Sequence, residues 1–290
     1  MGNPDYGKIF ENIKEHSPLI HCITNYVTIN DVANIILAAG GSPIMAEEKE
    51  EVEEITRMCD GLVLNIGTLQ KKKTEAMLLA GKTANETGRP VIFDPVGAGS
   101  SGLRTETAHR IMKEIKLSVI RGNVSEIKAL CQDKAMTKGV DADGKDALTE
   151  DSMKDMISIG RKLSEKTGAV ILITGAVDLA VCGRQAAAIR NGDPNMARIT
   201  GSGCMLDGVL GVFAGANPAC LFDAIITAAG AMGICGEKAA ASSQGTGSFR
   251  MHLMDEMSKI TAQQVERGIK IEHKSERYDA VCGNGCGLDR

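Results

Sequence analysis

The chain has 290 residues, 43% of them hydrophobic and 24% charged, with a net charge of −4, 33 glycines and no tryptophan. That length suits one large α/β domain or two small ones, and the composition is that of an ordinary globular protein. The negative charge speaks against a general nucleic-acid binder, and the longest mostly apolar stretch, residues 224–235, is too short and too rich in Ala and Gly for a membrane span.

Taken in order, Tyr6, Ile9, Phe10 and Ile13 fall at helical spacing, so an amphipathic helix is expected before Pro18. Residues 19–23 read as a buried strand, followed by Thr24-Asn25-Tyr26 and a helix with Ile29, Val32, Ile36 and Leu37 on one face. Gly40-Gly41 ends that helix, and residues 42–45 read as a second strand. The acidic run 47–54 reads as a solvated helix face. Residues 62–66 form a strand ending at Gly67, with Thr68 as the expected cap of the next helix.

The rhythm then repeats. Strand 90–93 ends in Asp94-Pro-Val-Gly-Ala-Gly99, with a helix at about 106–115, and strand 117–120 ends in Arg121-Gly-Asn-Val-Ser-Glu126, with a helix after it. Residues 133–147 are polar and read as an exposed loop. A helix over 152–166 and a strand over 169–174 follow, then a hairpin of 179–182 with 185–190, and a short strand at 196–199. Asn217-Pro218 reads as a helix start, Phe249, Leu253 and Met257 mark a last helix, and the chain beyond about 261 reads as polar. Strands alternating with helices imply an α/β fold, a mainly parallel sheet covered on both faces. Ligands bind such sheets where strands end and helices begin.

The stretch that organises this pattern is residues 198–210. Gly201 and Gly203 lead directly into an apolar helix, whose first N–H groups and dipole make an anion site. Cys204 falls at the first turn, where a thiolate is favoured. An ordinary glycine turn is the competing reading of this stretch alone. Asp94 and Glu126, at two strand ends, are a candidate Mg²⁺ pair; a pre-proline turn and a helix-start charge are the plainer readings. Arg121 has the guanidinium geometry for phosphate oxygens, and Thr174 for a nucleotide phosphate. The nine cysteines are scattered, several within apolar runs, which speaks for free thiols in a reducing compartment. With no signal pattern at the start, a cytoplasmic location is expected.

Six motifs together resemble the hydroxyethylthiazole kinases, in order and over about residues 5–262. They are His21-Cys-Ile-Thr-Asn-Tyr-Val-Thr28, Pro43-Ile-Met-Ala46, Asn65-Ile-Gly-Thr-Leu69, Asp94-Pro-Val-Gly-Ala-Gly99, Arg121-Gly-Asn-Val-Ser-Glu126 and Ile199-Thr-Gly-Ser-Gly-Cys-Met-Leu206. Asn123-Val-Ser-Glu126 and Thr200-Gly-Ser-Gly203 also look like the N-x-x-E and G-x-G elements of ribokinase-like kinases. The resemblance implies a three-layer α/β/α ribokinase-like domain over 1–264, with a polar and flexible tail over 265–290. It implies phosphoryl transfer from ATP to 4-methyl-5-(2-hydroxyethyl)thiazole, a thiamine salvage step. It further implies a homotrimer with sites between subunits, and neither a nucleic-acid nor a membrane partner.

Carried over by residue, Asn25, Met45, Gly67, Gly201 and Cys204 would meet the thiazole alcohol. Arg121, Asn123 and Thr174 would meet ATP, and Asp94 and Glu126 would organise Mg²⁺. Gly201, Gly203 and Cys204 would serve catalysis, through loop N–H groups on the moving phosphoryl group and a thiol on the hydroxyl. Most ribokinase-like kinases place Asp where Cys204 stands, as the base; a loose phosphoryl-transfer transition state needs little base assistance, so the thiol is expected to position the hydroxyl more than to act as a base. A same-fold kinase for hydroxymethylpyrimidine or a sugar, and a non-catalytic binding protein, stay open. A dinucleotide oxidoreductase does not fit, because no Gly-x-Gly-x-x-Gly follows the first strand. Cys282 and Cys286 would begin a zinc site only with further ligands.

Overall fold

The structure of the chain is a computed structural model that describes residues 4–131 and 150–274. The first half runs α1 (Tyr6–His16), β1 (Leu19–Ile23), α2 (Ile29–Ala38), β2 (Ser42–Ile44), α3 (Val52–Met58), β3 (Gly61–Asn65), α4 (Lys71–Glu86), β4 (Val91–Asp94), α5 (Gly102–Glu114), β5 (Val119–Asn123) and α6 (Val124–Leu130). The second half runs α7 (Glu150–Thr167), β6 (Val170–Thr174), β7 (Asp178–Cys182), β8 (Gln185–Ile189), α8 (Ser202–Ala216), α9 (Leu221–Ser242), α10 (Thr246–Lys259), α11 (Ala262–Gly268) and β9 (Ile271–His273).

The strands form one sheet in the order β2-β1-β3-β4-β5-β6-β7-β8-β9. All pairings from β2 to β6 are parallel, and those from β6 to β9 are antiparallel. Side chains alternate across the pleat, so each buried strand feeds two cores. Cys22, Val63, Ile92, Val119, Val170 and Leu172 face one core, shared with α1, α2, α8, α9 and α10. Leu62, Leu64, Phe93, Ile120, Ile171 and Ile173 face the other, shared with α4, α5, α6 and α7. These two helical layers on a mainly parallel sheet are the α/β/α architecture expected from the sequence.

The parallel pairing has a consequence for function. Six strand ends point the same way, so the residues after β2, β1, β3, β4, β5 and β6 share one edge of the sheet. Helix starts arrive at the same edge. Asn123 and Glu126 form a reciprocal capping box on α6, and Ser101 caps α5 through the Arg104 N–H.

Several local expectations change. Residues 196–199 are not a strand: Pro194–Arg198 is a 3₁₀ helix, because Pro194 stands at its start and the Asp193 carboxylate accepts the Asn195 N–H. Thr68 does not cap α4, whose N-cap is Gln70; its hydroxyl accepts the Tyr26 N–H instead. Helix α5 begins at Gly102, four residues before the expected position, because Ser101 supplies the cap. Pro218–Cys220 is a short 3₁₀ turn ahead of α9, and the Asn217 amide donates to Ile9 O and Phe213 O rather than capping it.

The described part of the polar stretch after 261, residues 262–273, is built into the fold. Thr261 caps α11, Val265 is buried, and β9 pairs with β8. The expected loop over 133–147 and the Cys282/Cys286 pair lie outside the described residues. The apolar stretch judged too short for a membrane span is part of a longer helical run, Pro218–Ser242, with mean hydropathy 1.7, long and apolar enough to cross a bilayer. Its apolar window is 78% buried within the fold, as for a core helix.

Candidate active site

The strand-end residues meet in one continuous side-chain network. At the β1 end, the Asn25 Nδ2 donates to Cys204 Sγ at 3.1 Å and to Asn65 Oδ1 at 3.0 Å. At the β3 end, Asn65 Oδ1 also accepts the Gly67 N–H, which settles which way the amide faces. Its Nδ2 then lies 2.8 Å from Asp94 Oδ2, 3.1 Å from Asp207 Oδ2 and 3.4 Å from Cys204 Sγ. At the β5 end, Arg121 pairs with Asp94 at 2.9 Å and reaches Thr174 Oγ1, at the β6 end, at 3.2 Å. Five strands and α8 therefore converge on a single cluster.

Helix α8 enters this cluster by its first turn. Its N-cap, Gly201, has φ 87°, a left-handed conformation that favours glycine. A Cβ there would also stand 2.4 Å from Thr28 Cγ2. The first helical bond is Met205 N–H to Gly201 O at 2.8 Å. The N–H groups of Ser202, Gly203 and Cys204 thus begin no bond within the helix and carry its positive dipole end. Gly203 admits the Arg121 guanidinium, because a Cβ would lie 2.3 Å from its Nη2.

Charge in the cluster is unbalanced. Asp94 and Asp207 are both 1% exposed, and each keeps its Oδ1 buried without a hydrogen-bond partner. Burial, and then the neighbouring Asp207, push the Asp94 carboxyl well above the usual range, against the pull of Arg121. Burial raises Asp207 to about 7, with Arg121 opposing. Two buried carboxylates side by side do not both ionise freely, and a nearby cation relieves them. Asp94, Cys204 and Asp207 each offer a ligand atom within 4.8 Å of the others. The Asn65 Nδ2 already lies within hydrogen-bond reach of all three, so that particular triangle is filled.

Glu126 serves the fold directly. Its Oε2 accepts the Asn123 N–H and its Oε1 the Gly97 N–H, both at 2.8 Å. Each oxygen retains a further lone pair for a metal-bound water. The unpartnered Asp94 Oδ1 and these Glu126 lone pairs are hard oxygen donors, a set that is compatible with Mg²⁺.

Beside the network lies a cavity of about 470 Å³. Arg121, Thr174, Ser202 and Gly203 line its polar end, while Met196, Leu206 and Met232 are among its apolar wall. Asp178 also faces it; burial raises that carboxyl to about 6, against the Gly175 N–H it accepts. Of the residues expected at ATP, Arg121 and Thr174 line this cavity. Asn123 does not; its side chain is the α6 cap. Of those expected at the alcohol, Asn25, Gly67 and Cys204 belong to the network, and Gly201 supports it from below. Met45 follows β2, partly buried against the core, and makes no hydrogen bond to the cluster.

Sequence reasoning missed Asp207, Asp178 and the role of Asn65. Asp207 had a signal: it is the single acid in the apolar run 205–216, and a charge in a buried helix needs a reason. Asn65 was inside a recognised motif, but only the sheet register shows that its amide reaches β1, β4 and α8 together.

Comparison with known proteins decides the family. The Hydroxyethylthiazole kinase family model matches residues 10–263. The chain belongs to the hydroxyethylthiazole kinase family. It is 47% identical over 265 residues to a hydroxyethylthiazole kinase of Clostridium acetobutylicum, covering 90% of this chain and 97% of that protein. It is 46% identical over 266 residues to one from Desulfovibrio desulfuricans, covering 88% and 93%. A solved hydroxyethylthiazole kinase structure from Pyrococcus horikoshii superposes with a TM-score of 0.83 at 32% identity, covering 93% of this chain and 98% of that one. A Staphylococcus aureus pyridoxal kinase, at 15% identity and TM-score 0.60 over 88% of this chain and 97% of its own, shares the fold alone. Ser202 and Gly203 of the α8 loop line the cavity, and the next residue, Cys204, belongs to the cluster.

Proposed function

We propose that this kinase transfers the γ-phosphoryl group of ATP to the hydroxyl of 4-methyl-5-(2-hydroxyethyl)thiazole, in thiamine salvage, with the two substrates on opposite sides of the α8 loop. The observation that carries the reading is the placement of Gly201–Cys204. The loop has a nucleotide-sized cavity on one side and the Asn25–Cys204–Asn65 cluster on the other.

ATP occupies the cavity, its base against Met196 and Met232 and its phosphates toward Arg121, Thr174 and the α8 N-terminus. Arg121 leaves its pairing with Asp94 for phosphate oxygens, a bidentate use suited to its guanidinium. Asp94, with Glu126 in support, would hold Mg²⁺, which would supply countercharge for the phosphates.

Cys204 Sγ accepts amide N–H groups from Asn25 and Asn65, so the sulfur is oriented as an acceptor. It takes the hydrogen bond of the substrate hydroxyl and aims the oxygen at the γ-phosphorus. The new O–P bond forms as the bridging β–γ bond breaks, and the hydroxyl proton is released at the sulfur or to water. The N–H groups of Ser202, Gly203 and Cys204 receive the charge on the transferring group. A loose phosphoryl-transfer transition state needs mainly this positioning and countercharge.

A homotrimer with shared sites is part of the same proposal, as is a cytoplasmic location. Tyr26 and Val27, next to Asn25, are 46% and 66% exposed in the single chain, which supports a neighbouring subunit covering that edge.

The test is ADP release with Mg-ATP and hydroxyethylthiazole, run beside hydroxymethylpyrimidine and ribose. Release that depends on the thiazole, and is lost in Asp94→Ala, is the expected outcome. Equal release with all three alcohols, or none with the thiazole, would overturn it.

A further inference from the structure

The far wall of the nucleotide cavity is non-strand backbone that passes into the 3₁₀ helix Pro194–Arg198. It runs from Asn191 through Gly192, Asp193 and Pro194 to Met196 and Ala197. No strand ladder fixes it, since β8 ends at Ile189. Its position comes from a side-chain hub and from the segment that the sequence reading treated as tail.

Asn191 is fully engaged in that hub. Its Nδ2 donates to Gly268 O at 3.0 Å and to Glu237 Oε1 at 3.3 Å, and its Oδ1 accepts the Lys270 N–H at 2.7 Å. Glu237 Oε1 also accepts the Gly192 N–H at 3.2 Å and the Lys270 ammonium at 3.0 Å. One carboxylate on α9 thus ties the cavity wall to the C-terminal segment. That segment is anchored in turn. Arg190 N–H donates to Lys270 O, and β9 continues onto β8.

Helix α9 is shaped to receive both partners. A Cβ at Gly230 would stand 2.5 Å from Ile269 Cγ1, and one at Gly233 would stand 2.5 Å from Asn191 Cβ. The C-terminal segment lies beyond residue 263, where the family match ends. Neither Glu237 nor Lys270 lines the cavity.

We propose that Glu237 and Asn191 are positioning residues for the nucleotide, and that the segment Gly268–Lys270 sets the wall of the nucleoside end through them. The inference rests on the reading that this cavity holds ATP. Glu237 acts at one remove, by placing Asn191 and Gly192, so its loss alters the nucleotide and not the alcohol.

The experiment uses the full chain. Binding of Mg²⁺ with a non-hydrolysable ATP analogue is measured by calorimetry for wild type, Glu237→Ala and Glu237→Gln, with KM for ATP and for the thiazole alcohol. Glu237→Ala is expected to weaken analogue binding and raise the ATP KM by about tenfold, the cost of about one hydrogen-bonded contact, with the alcohol KM unchanged. Glu237→Gln keeps an acceptor oxygen and is expected to restore binding to within about twofold of wild type. Asn191→Ser carries the same expectation as Glu237→Ala and serves if that variant does not fold. The proposal fails if the alanine variant binds the analogue as wild type does, or if both KM values rise together. A wild-type chain that does not bind the analogue overturns the ATP reading and this proposal together; wild-type binding that Glu237→Ala and Asn191→Ser leave intact overturns only this one.

Discussion

In the proposed reaction, Cys204 is the residue that meets the substrate hydroxyl. Its sulfur receives two amide donors, an arrangement that orients an acceptor whether or not it takes a full proton. Cys204→Ser is therefore expected to lower turnover by less than about 100-fold, the lower bound for loss of a general base, while ATP and thiazole binding hold. Complete loss of turnover with intact binding, read by single-turnover kinetics and calorimetry, would establish the thiol as the base. His21, in the first recognised motif, behaves differently. It is buried, with Nε2 2.8 Å from Ala46 O and Nδ1 2.9 Å from Thr56 Oγ1. Burial lowers its pKa below the ordinary 6.5, against the Ala46 contact. The folded state then binds its proton less readily than the unfolded chain does. Its contribution to stability is full above 6.5 and is lost as pH falls through the lowered value. His21→Gln is expected to flatten that loss, as seen in melting temperatures between about pH 8 and about pH 5.

Two loops make the site, and each is held by an element behind it. The α8 loop depends on glycine at its cap. Gly201→Ala would force a side chain into a left-handed backbone and against Thr28. Turnover is expected to fall by about 100-fold as the loop N–H groups shift, while the variant keeps its fold by circular dichroism. The Asn25 loop is held by Lys73 at the start of α4. The side chain of Lys73 is 3% exposed, and its ammonium pairs with Glu47 at 2.9 Å, donates to Thr24 O and lies 4.0 Å over the Tyr26 ring. Tyr26 closes the circuit by donating to Glu47 at 2.6 Å. Lys73→Met removes the ion pair to a partly exposed carboxylate and the hydrogen bond to Thr24 O, and is expected to cost about 1 kcal/mol in denaturant unfolding. Of the run Lys71-Lys72-Lys73, only the third is buried, and helical phase alone does not say which lysine a neighbouring loop will cover.

At the scale of the whole molecule, the single chain presents several large apolar side chains to solvent, of which Val27 stands beside Asn25 of the site. Val27 at 66%, Leu37 at 57% and Met251 at 67% exposure are more than one chain needs to leave uncovered. The proposed trimer would bury such a surface, and dilution to monomer is then expected to abolish activity; full activity in a dilute monomer would exclude an obligatory shared site. The C-terminal segment belongs to this scale too. Sequence reading stopped at the polar composition after residue 261, because a short capped helix and a three-residue edge strand carry too few apolar residues to show a period. They are held by what they meet, Gly230 of α9 and the β8 edge, neither of which is near them in sequence.

Local sequence patterns were enough for the α/β class, the parallel strands and the strand-end positions of Asn25, Gly67, Asp94, Arg121 and Thr174. Periodicity is local, and parallel sheets place their strand ends on one side whatever the details. The glycine loop at α8 was a weak signal by itself, since glycine pairs also mark ordinary turns, and it gained weight only beside the other motifs. Only the tertiary structure decided which strand ends touch. Whether Asn65 reaches Asp94 and Cys204, whether Glu126 is free or already accepting two backbone N–H groups, and whether Asp207 joins the cluster depend on strand order and register. Those are set by the packing of distant segments against a shared core, which no local pattern records.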